Sequence, residues 1–355
     1  LNGQTYAVTT VRSEYGSQLG ITMRKDLVDK YKIDISQIQT LDDLDPVFQA
    51  IKENEPELVP VVGYGGSSIL SSPGFYPVDT LGDMFGVLTD YGKELQVVNW
   101  FETEAYANLL KTVRRWFNDG YISKDAATET QTGTTLIGAG KAFSMIYNHN
   151  PTDMSRITSG VGDIPLVSKT FYQPFSYSSM VQTIQYGIFH HSRHPDKAMQ
   201  FLNLMYTDKD IVNLLNWGIE GTHYIVGADG AIDYPPGVDA ATTGYAPNIG
   251  FEVGNLFLSH VWKGQEADLW EKADAFNKSA IKSKAFGFMY DAASVKNELT
   301  ALSNVLNQYY SGLETGSIDP EKQLPEFISK LKAAGIDKVV SEKQRQLDEW
   351  AKTNQ

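Results

Sequence analysis

The sequence predicts an α/β protein that ends in a helical tail. Two observations carry that class. Short apolar runs of strand character alternate with amphipathic helical stretches early in the chain, and beyond Ser294 the pattern is nearly all helical. A third observation sets the size: 355 residues at roughly 150 per domain make two domains, or one large α/β body with appended helices. With 42% hydrophobic and 21% charged residues, the chain can bury a sizeable core and is not disordered as a whole. No internal repeat or low-complexity tract interrupts it.

The elements follow in order. Tyr6-Ala7-Val8 reads as a strand entered through an Asn2-Gly3 turn. The chain opens on that turn with no basic and apolar leader, so further sequence is expected upstream of Leu1. Residues 21–31 pass from a strand-like run into a short helix. Thr40 is placed to cap a helix whose first turn carries Asp42 and Asp43, where the helix dipole favours acids. Leu44, Val47, Phe48 and Ile51 continue at helical spacing, and Glu55-Pro56 ends the run. Val59 to Val62 is a short buried-type strand, followed by Gly63-Tyr64-Gly65-Gly66-Ser67-Ser68. Phe101 to Phe117 is an amphipathic helix through Tyr106, Leu110, Val113 and Trp116, stopped by Asn118-Asp119-Gly120. Ala142 to Tyr147 is a strand that gives way to the polar loop Asn148-His149-Asn150-Pro151. Residues 182–189 form another strand, Pro195 opens a helix, and Asp208 to Trp217 covers a second. Gly227 to Phe251 is rich in Gly, Pro, Thr and Asp, the composition of turns. The tail holds helices at Val295–Tyr310, Pro320–Ala334 and Ser341–Ala351.

Composition narrows the chemistry. Thirty Lys and Arg against 43 Asp and Glu give a net charge of −13 with no basic cluster, so no nucleic-acid partner is expected. Zero cysteines remove disulfides, thiolate metal sites and a thiol nucleophile from the sequence. No run approaches the ~18 consecutive apolar residues of a membrane span. His190, His191 and His194 precede a helix without a carboxylate partner and read as a solvated loop rather than a metal site. The glycine-rich loop after Val62 lacks the Gly-Lys-Ser/Thr ending of a phosphate cradle. No cofactor and no metal are expected.

What remains is a set of aromatic and amide-rich loops at element ends. Arg12, Glu14 and Tyr15 follow the first strand, Tyr64 follows another, and Asn148, His149 and Asn150 follow a third. Trp217, Glu220, His223 and Tyr224 follow a helix. Twelve per cent of the chain is aromatic, with 19 Tyr, 16 Phe and 6 Trp. Flat aromatic faces against sugar C–H surfaces, with amides, carboxylates and Arg for the hydroxyls, are how a neutral polar ligand is held.

The order of segments resembles ABC-transporter extracellular solute-binding proteins of the sugar-binding type. The resemblance is carried by Asn2-Gly3-Gln4-Thr5-Tyr6-Ala7-Val8, Thr22-Met23-Arg24-Lys25-Asp26-Leu27 and Thr40-Leu41-Asp42-Asp43-Leu44, with Leu41 where Trp is commoner. Gly140-Lys141-Ala142-Phe143-Ser144-Met145 and His194-Pro195-Asp196-Lys197-Ala198-Met199-Gln200-Phe201-Leu202 continue it. Glu220-Gly221-Thr222-His223-Tyr224 and the tail are similar to the lipoprotein branch of Gram-positive bacteria.

The resemblance implies a periplasmic-binding-protein-like type II fold: two α/β lobes joined by crossing strands, closing on a ligand, with a helical C-terminal tail. It implies a hinge strand at residues 1–11, a second lobe at 12–180, the return strand and remainder of the first lobe at 181–284, and tail helices at 285–355. About a hundred residues of the first lobe would precede Leu1, with a signal peptide and a lipid-bearing cysteine, leaving the first lobe incomplete here. The implied function is a non-catalytic, monomeric receptor, tethered outside the cell, that captures an oligosaccharide for ABC permease subunits. Arg12, Glu14, Tyr15, Tyr64, Asn148, His149 and Asn150 would line the second-lobe wall, and Trp217, Glu220, His223 and Tyr224 would come from the first lobe or hinge. Two alternatives stay open. A glycoside hydrolase needs two carboxylates at ~5 or ~6.5–9.5 Å, and a peptide or amino-acid receptor would pair its charged ligand with Arg12 or Glu14.

Overall fold

The computed structural model describes residues 5–354 except 14, 66, 67, 75, 163, 241 and 248, with no side-chain description at 154–156 and 159. In chain order its elements are β1 (Val8–Thr9), β2 (Gln18–Arg24), α1 (Lys25–Lys30), α2 (Asp45–Asn54), β3 (Val59–Gly63), α3 (Glu104–Asn118), α4 (Gly133–Gly138) and β4 (Ala142–His149). They continue with α5 (Asp153–Val161), β5 (Leu166–Thr170), β6 (Phe175–Ser176), β7 (Gln185–Tyr186), α6 (Pro195–Thr207), α7 (Lys209–Trp217), β8 (Ile225–Val226) and β9 (Ile232–Asp233). The last are α8 (Leu269–Ser279), β10 (Ile281–Lys282), α9 (Lys296–Glu314), α10 (Pro320–Ala333) and α11 (Ile336–Asn354). The chain divides into two compact units. Unit 1 holds residues 1–16, 150–152 and 180–279, and unit 2 holds 17–149, 153–179 and 280–355.

Unit 2 is built on a four-stranded sheet of order β3-β4-β2-β5. Strands β3 and β4 run parallel, and β2 runs antiparallel to both of its neighbours. The sheet is covered on both faces, which is why β2 and β4 read as near-continuous apolar runs. Leu19, Ile21, Met23 and Ile146 join the large core formed with Phe48, Trp116 and Phe327, while Met145 and Tyr147 join a second core with Leu136, Ile137 and Ile157. Pro60 sits in the edge strand β3, where a missing N–H costs no ladder bond. Helices α2 and α3 lock together through the edge-on Phe48–Trp116 pair at 5.2 Å, the Trp116 indole N–H donating to Asp45 at 2.6 Å and Arg115 pairing with Asp45 at 2.9 Å. The C-terminal helices belong to this unit, with Phe327 of α10 stacked on Tyr309 of α9 at 5.3 Å and edge-on to Phe101 at 5.0 Å.

Unit 1 is held differently. Its ribbon pairs β1 with β7 over two residues, Val8 with Tyr186 and Thr9 with Gln185. Beyond it the Val11 amide donates to the Gly254 carbonyl at 2.7 Å and the Val11 carbonyl accepts from the Leu256 amide at 2.8 Å, while the Tyr206 hydroxyl donates to the Thr9 carbonyl at 2.7 Å. Asp208 caps α7 by accepting from the amides of Asp210 and Ile211.

Several boundaries differ from the sequence reading. The strand expected over 182–189 shrinks to Gln185–Tyr186, because its partner β1 is itself two residues long. Strand β4 runs on through Asn148 and His149, which pair with Leu19 and Gln18 instead of opening a loop. Helix α3 begins at Glu104, since the Thr103 hydroxyl accepts from the Tyr106 amide and fixes the cap there. At the expected Thr40 cap the roles invert: the Asp43 carboxylate reaches back to the amides of Gln39 and Thr40 and becomes the acceptor. Helix α11 starts at Ile336, five residues early by count from Ser341, immediately after Gly335 at φ 99° ends α10. The Asn2-Gly3 turn lies outside the described residues.

Candidate functional site

In unit 2 the ends of the parallel strands β3 and β4 bring aromatic side chains together. Tyr64, just past β3, lies 4.6 Å from Tyr147 of β4 between ring centroids, and Tyr147 meets His149 edge-on at 5.3 Å. Residues 147 and 149 share a face because strand side chains alternate. The His149 ring fits there because residue 20 on the facing strand is glycine: a Cβ at that position would stand 2.6 Å from the imidazole. His149 is 5% exposed, and its Nε2 is 3.4 Å from the Thr22 hydroxyl. Burial pushes its pKa down to about 4, so the ring is neutral at physiological pH. The Tyr147 hydroxyl donates to the buried carboxylate of Asp153, the first residue of α5. The result is an aromatic cluster in which Tyr64 is partly exposed while Tyr147 and the uncharged His149 are buried behind it, so the Tyr64 ring is the face offered to an uncharged polar ligand.

In unit 1 the segment after β1 gathers its own polar group. The Arg12 guanidinium donates through Nη2 to the Met180 carbonyl at 2.8 Å and lies 5.4 Å over the Tyr15 ring, while its Nε makes no hydrogen bond. Asn277 ties the backbone on both sides, accepting from the Tyr15 amide at 3.1 Å and donating to the Arg12 carbonyl at 3.0 Å. Ser13 reaches Thr152 at 3.1 Å, and the Thr152 hydroxyl donates to Asn150 at 2.6 Å. Arg12, Tyr15 and Asn150 thus belong to one cluster, and Glu14 lies outside the described residues.

The remaining expected residues fall elsewhere. Asn148 points from the opposite face of β4, with its buried Oδ1 making no hydrogen bond. Trp217 donates to the Ser259 hydroxyl at 2.8 Å and packs on Trp262 at 5.3 Å, inside unit 1. His223 Nδ1 accepts from the Ile219 amide at 2.9 Å, and Tyr224 is buried 6.0 Å from the His260 ring. Glu220 is exposed beside them. These four make and cover a tight turn at Gly218–Tyr224.

Sequence reasoning missed Tyr147, Thr22 and Asp153. Tyr147 was legible as the residue two before His149 on the same strand face, but Thr22 and Asp153 meet it only through the fold. Apart from this cluster, a cavity of about 200 Å³ runs along the edge strand β3, with Val59, Val61, Ile69 and Leu136 as apolar walls and Glu129 and Lys141 at its rim. It contains none of the expected site residues, and the aromatic cluster has the more specific chemistry.

Comparisons with known proteins bear on the family and the fold. A family model described as bacterial extracellular solute-binding protein matches residues 5–211, and one described as a domain of unknown function (DUF3502) matches residues 284–352. A carbohydrate ABC transporter substrate-binding protein of Streptococcus pneumoniae serotype 4 is 29% identical over 99% of this chain and 70% of its own length. The crystal structure of the N-glycan transport solute-binding protein NgtS of Streptococcus pneumoniae is 28% identical, with a TM-score of 0.83 over 100% of this chain and 77% of that one. Its complex with Man5GlcNAc gives 27% identity and a TM-score of 0.75 over 100% of this chain and 77% of that one. The alginate-binding protein AlgQ2, 16% identical with a TM-score of 0.62 over 98% of this chain and 75% of that one, shares the fold. The fold is the periplasmic-binding-protein-like type II fold.

Proposed function

The chain belongs to the bacterial extracellular solute-binding proteins, and from that premise we propose that it is a non-catalytic receptor that captures an oligosaccharide for an ABC importer. The observation that carries the ligand class is the partly exposed Tyr64 ring of unit 2, packed on the buried Tyr147 with the uncharged His149 behind it. A tyrosine face buries the apolar side of a pyranose ring. A relative named for carbohydrate transport and a solved relative in complex with Man5GlcNAc support that class. The mechanism is differential affinity: the ligand stabilises the conformer that contacts it best, and the permease reads that conformer. We read the receptor as a monomer tethered to the membrane surface, in line with its resemblance to Gram-positive lipoproteins.

One observation favours a second reading. The buried Arg12 guanidinium of unit 1 keeps an N–H without a partner, which suits a carboxylate and hence a peptide, an amino acid or an acidic sugar. Thermal shift measurements against Man5GlcNAc, neutral glucans, uronic-acid oligosaccharides and amino acids separate the two. A saturable rise in Tm with a neutral oligosaccharide is expected. A rise with amino acids alone sinks the sugar assignment.

A further inference from the structure

The loop after β3 is clamped from the C-terminal helices by one buried acid. Glu314, the last residue of α9, is 1% exposed. Its Oε2 accepts from the Ser68 hydroxyl at 3.0 Å and from the Ser72 amide at 3.5 Å, and its backbone carbonyl accepts from the Ile69 amide at 3.1 Å. Ser68 in turn accepts from the Ser71 amide at 2.9 Å. The neighbouring Tyr310 hydroxyl donates to the Ser72 carbonyl at 2.8 Å, and Trp100 donates to the Ser72 hydroxyl at 2.7 Å. The loop held this way folds tightly onto β3: a Cβ on Gly63 would lie 1.7 Å from the Ser68 carbonyl oxygen. Tyr64 follows Gly63 directly, and its carbonyl accepts from the Gly133 amide at 3.1 Å.

We propose that Glu314 is a positioning residue that holds the loop after β3, and through Gly63 the aromatic face of Tyr64, in the arrangement that receives ligand. This gives the C-terminal region, where the matching family model is described as a domain of unknown function, a task in binding. The inference rests on the oligosaccharide reading for its ligand and on unit 2 alone for its geometry. The groups facing the carboxyl are the hydroxyls of Tyr106, from α3, Tyr310, from α9, and Tyr76, from the loop, together with Ser68 and the Ser72 amide. None of these is a cation. Burial accordingly pushes the Glu314 carboxyl up to about 8, and the acid that clamps the loop at neutral pH is the protonated one. Raising the pH through that value places an anion in a buried site with no cation beside it, and although Ser68 and Ser72 still donate to it, the burial cost favours opening the loop to water, which loosens the clamp.

Hydrogen–deuterium exchange on the ligand-free full chain at pH 6.5 and 9, corrected for intrinsic rates, tests this. In the wild type the amides of Ile69, Ser71 and Ser72 are expected to lose protection at least tenfold at the higher pH, with β4 unchanged. Glu314→Gln, which keeps the neutral shape, should retain protection at both values. Ser68→Ala, which removes a bond without adding charge, should lower loop protection already at pH 6.5. Equal pH responses in wild type and Glu314→Gln overturn the proposal. Calorimetry with Man5GlcNAc then reads the ligand arm: affinity should fall about fivefold from pH 6.5 to 9 in the wild type and stay level in Glu314→Gln. Failure to bind Man5GlcNAc at either pH overturns the ligand assignment, while the exchange result still decides the clamp.

Discussion

The two units bury apolar surface in opposite ways. Unit 2 contains all three apolar cores found among the described residues, with Phe48, Phe101, Trp116 and Phe327 fully enclosed. Unit 1 is joined largely through polar ties, such as Asn213 to the Leu258 carbonyl and Trp270 to the Ser259 carbonyl. Except for Met289, every large hydrophobic residue exposed among the described residues lies in unit 1, including Phe189 at 69% and Met199 and Phe201 on α6. Phe201 and Leu204, three residues apart, share one exposed face of α6. The difference assigns the larger share of apolar burial to unit 2, while unit 1 relies on a smaller set that includes Met205, Val212, Ile232 and Leu256.

The largest expected effect tests that assignment. Trp116→Ala removes a fully enclosed indole and one of the N–H donors to Asp45, which keeps Arg115, so urea unfolding of unit 2 followed by circular dichroism should show a loss of about 4 kcal/mol. Phe201→Ala in unit 1, on the exposed side of α6, should change stability by no more than about 0.5 kcal/mol. A cost at Phe201 comparable to that at Trp116 would break the contrast, because it would mean that α6 has a packing partner in solution.

The next effect is a pH profile set by two buried groups of unit 2, Glu314 and His149. Glu314 binds its proton more tightly folded than unfolded, so its contribution is complete below the ordinary glutamate value and is lost as pH rises through about 8. His149 has its folded pKa depressed to about 4, so its contribution is complete above the ordinary histidine value and is lost as pH falls toward 4. Between the two ordinary values the slopes oppose, which predicts a plateau. From there toward pH 8.5 His149 no longer contributes, and Glu314 should lower stability by about 2 kcal/mol. Denaturant titrations across pH check this: Glu314→Gln should flatten the alkaline limb and expose the acidic slope of His149 beneath the plateau. An alkaline limb unchanged by Glu314→Gln would refute the assignment.

The same contrast explains what the sequence could reveal. Unit 2 follows patterns that are local: the spacing of Val47, Phe48 and Ile51, of Tyr106, Leu110, Val113 and Trp116, and the apolar run of β4 each declared an element. Strand β7 had the right composition but too little partner to pair with, and partner length is not a local property. At the site, Tyr64 and His149 were legible from their places at strand ends. Asp153 was not, because its meeting with Tyr147 depends on how α5 returns to the sheet. Glu314 was less legible still: it lies 246 residues from Ser68, and nothing in the tail's helical pattern marks it as buried.

The smallest effect decides between the two ligand chemistries by comparing one side chain from each unit. Tyr64→Ala removes an aromatic face from the surface made with Tyr147, and calorimetry should show roughly tenfold weaker oligosaccharide binding, about 1.4 kcal/mol. Tyr64→Phe keeps the face and should stay within about twofold, well under 1 kcal/mol. Arg12→Gln in unit 1 sacrifices the bond to the Met180 carbonyl and the free Nε donor, and with a neutral sugar it should cost less affinity than Tyr64→Ala. The opposite order, Arg12→Gln the more damaging and Tyr64→Ala nearly silent, would mean that the guanidinium of unit 1 leads recognition. The ligand would then carry negative charge, since a buried cation with an unfilled N–H gains most from an anion and little from a hydroxyl.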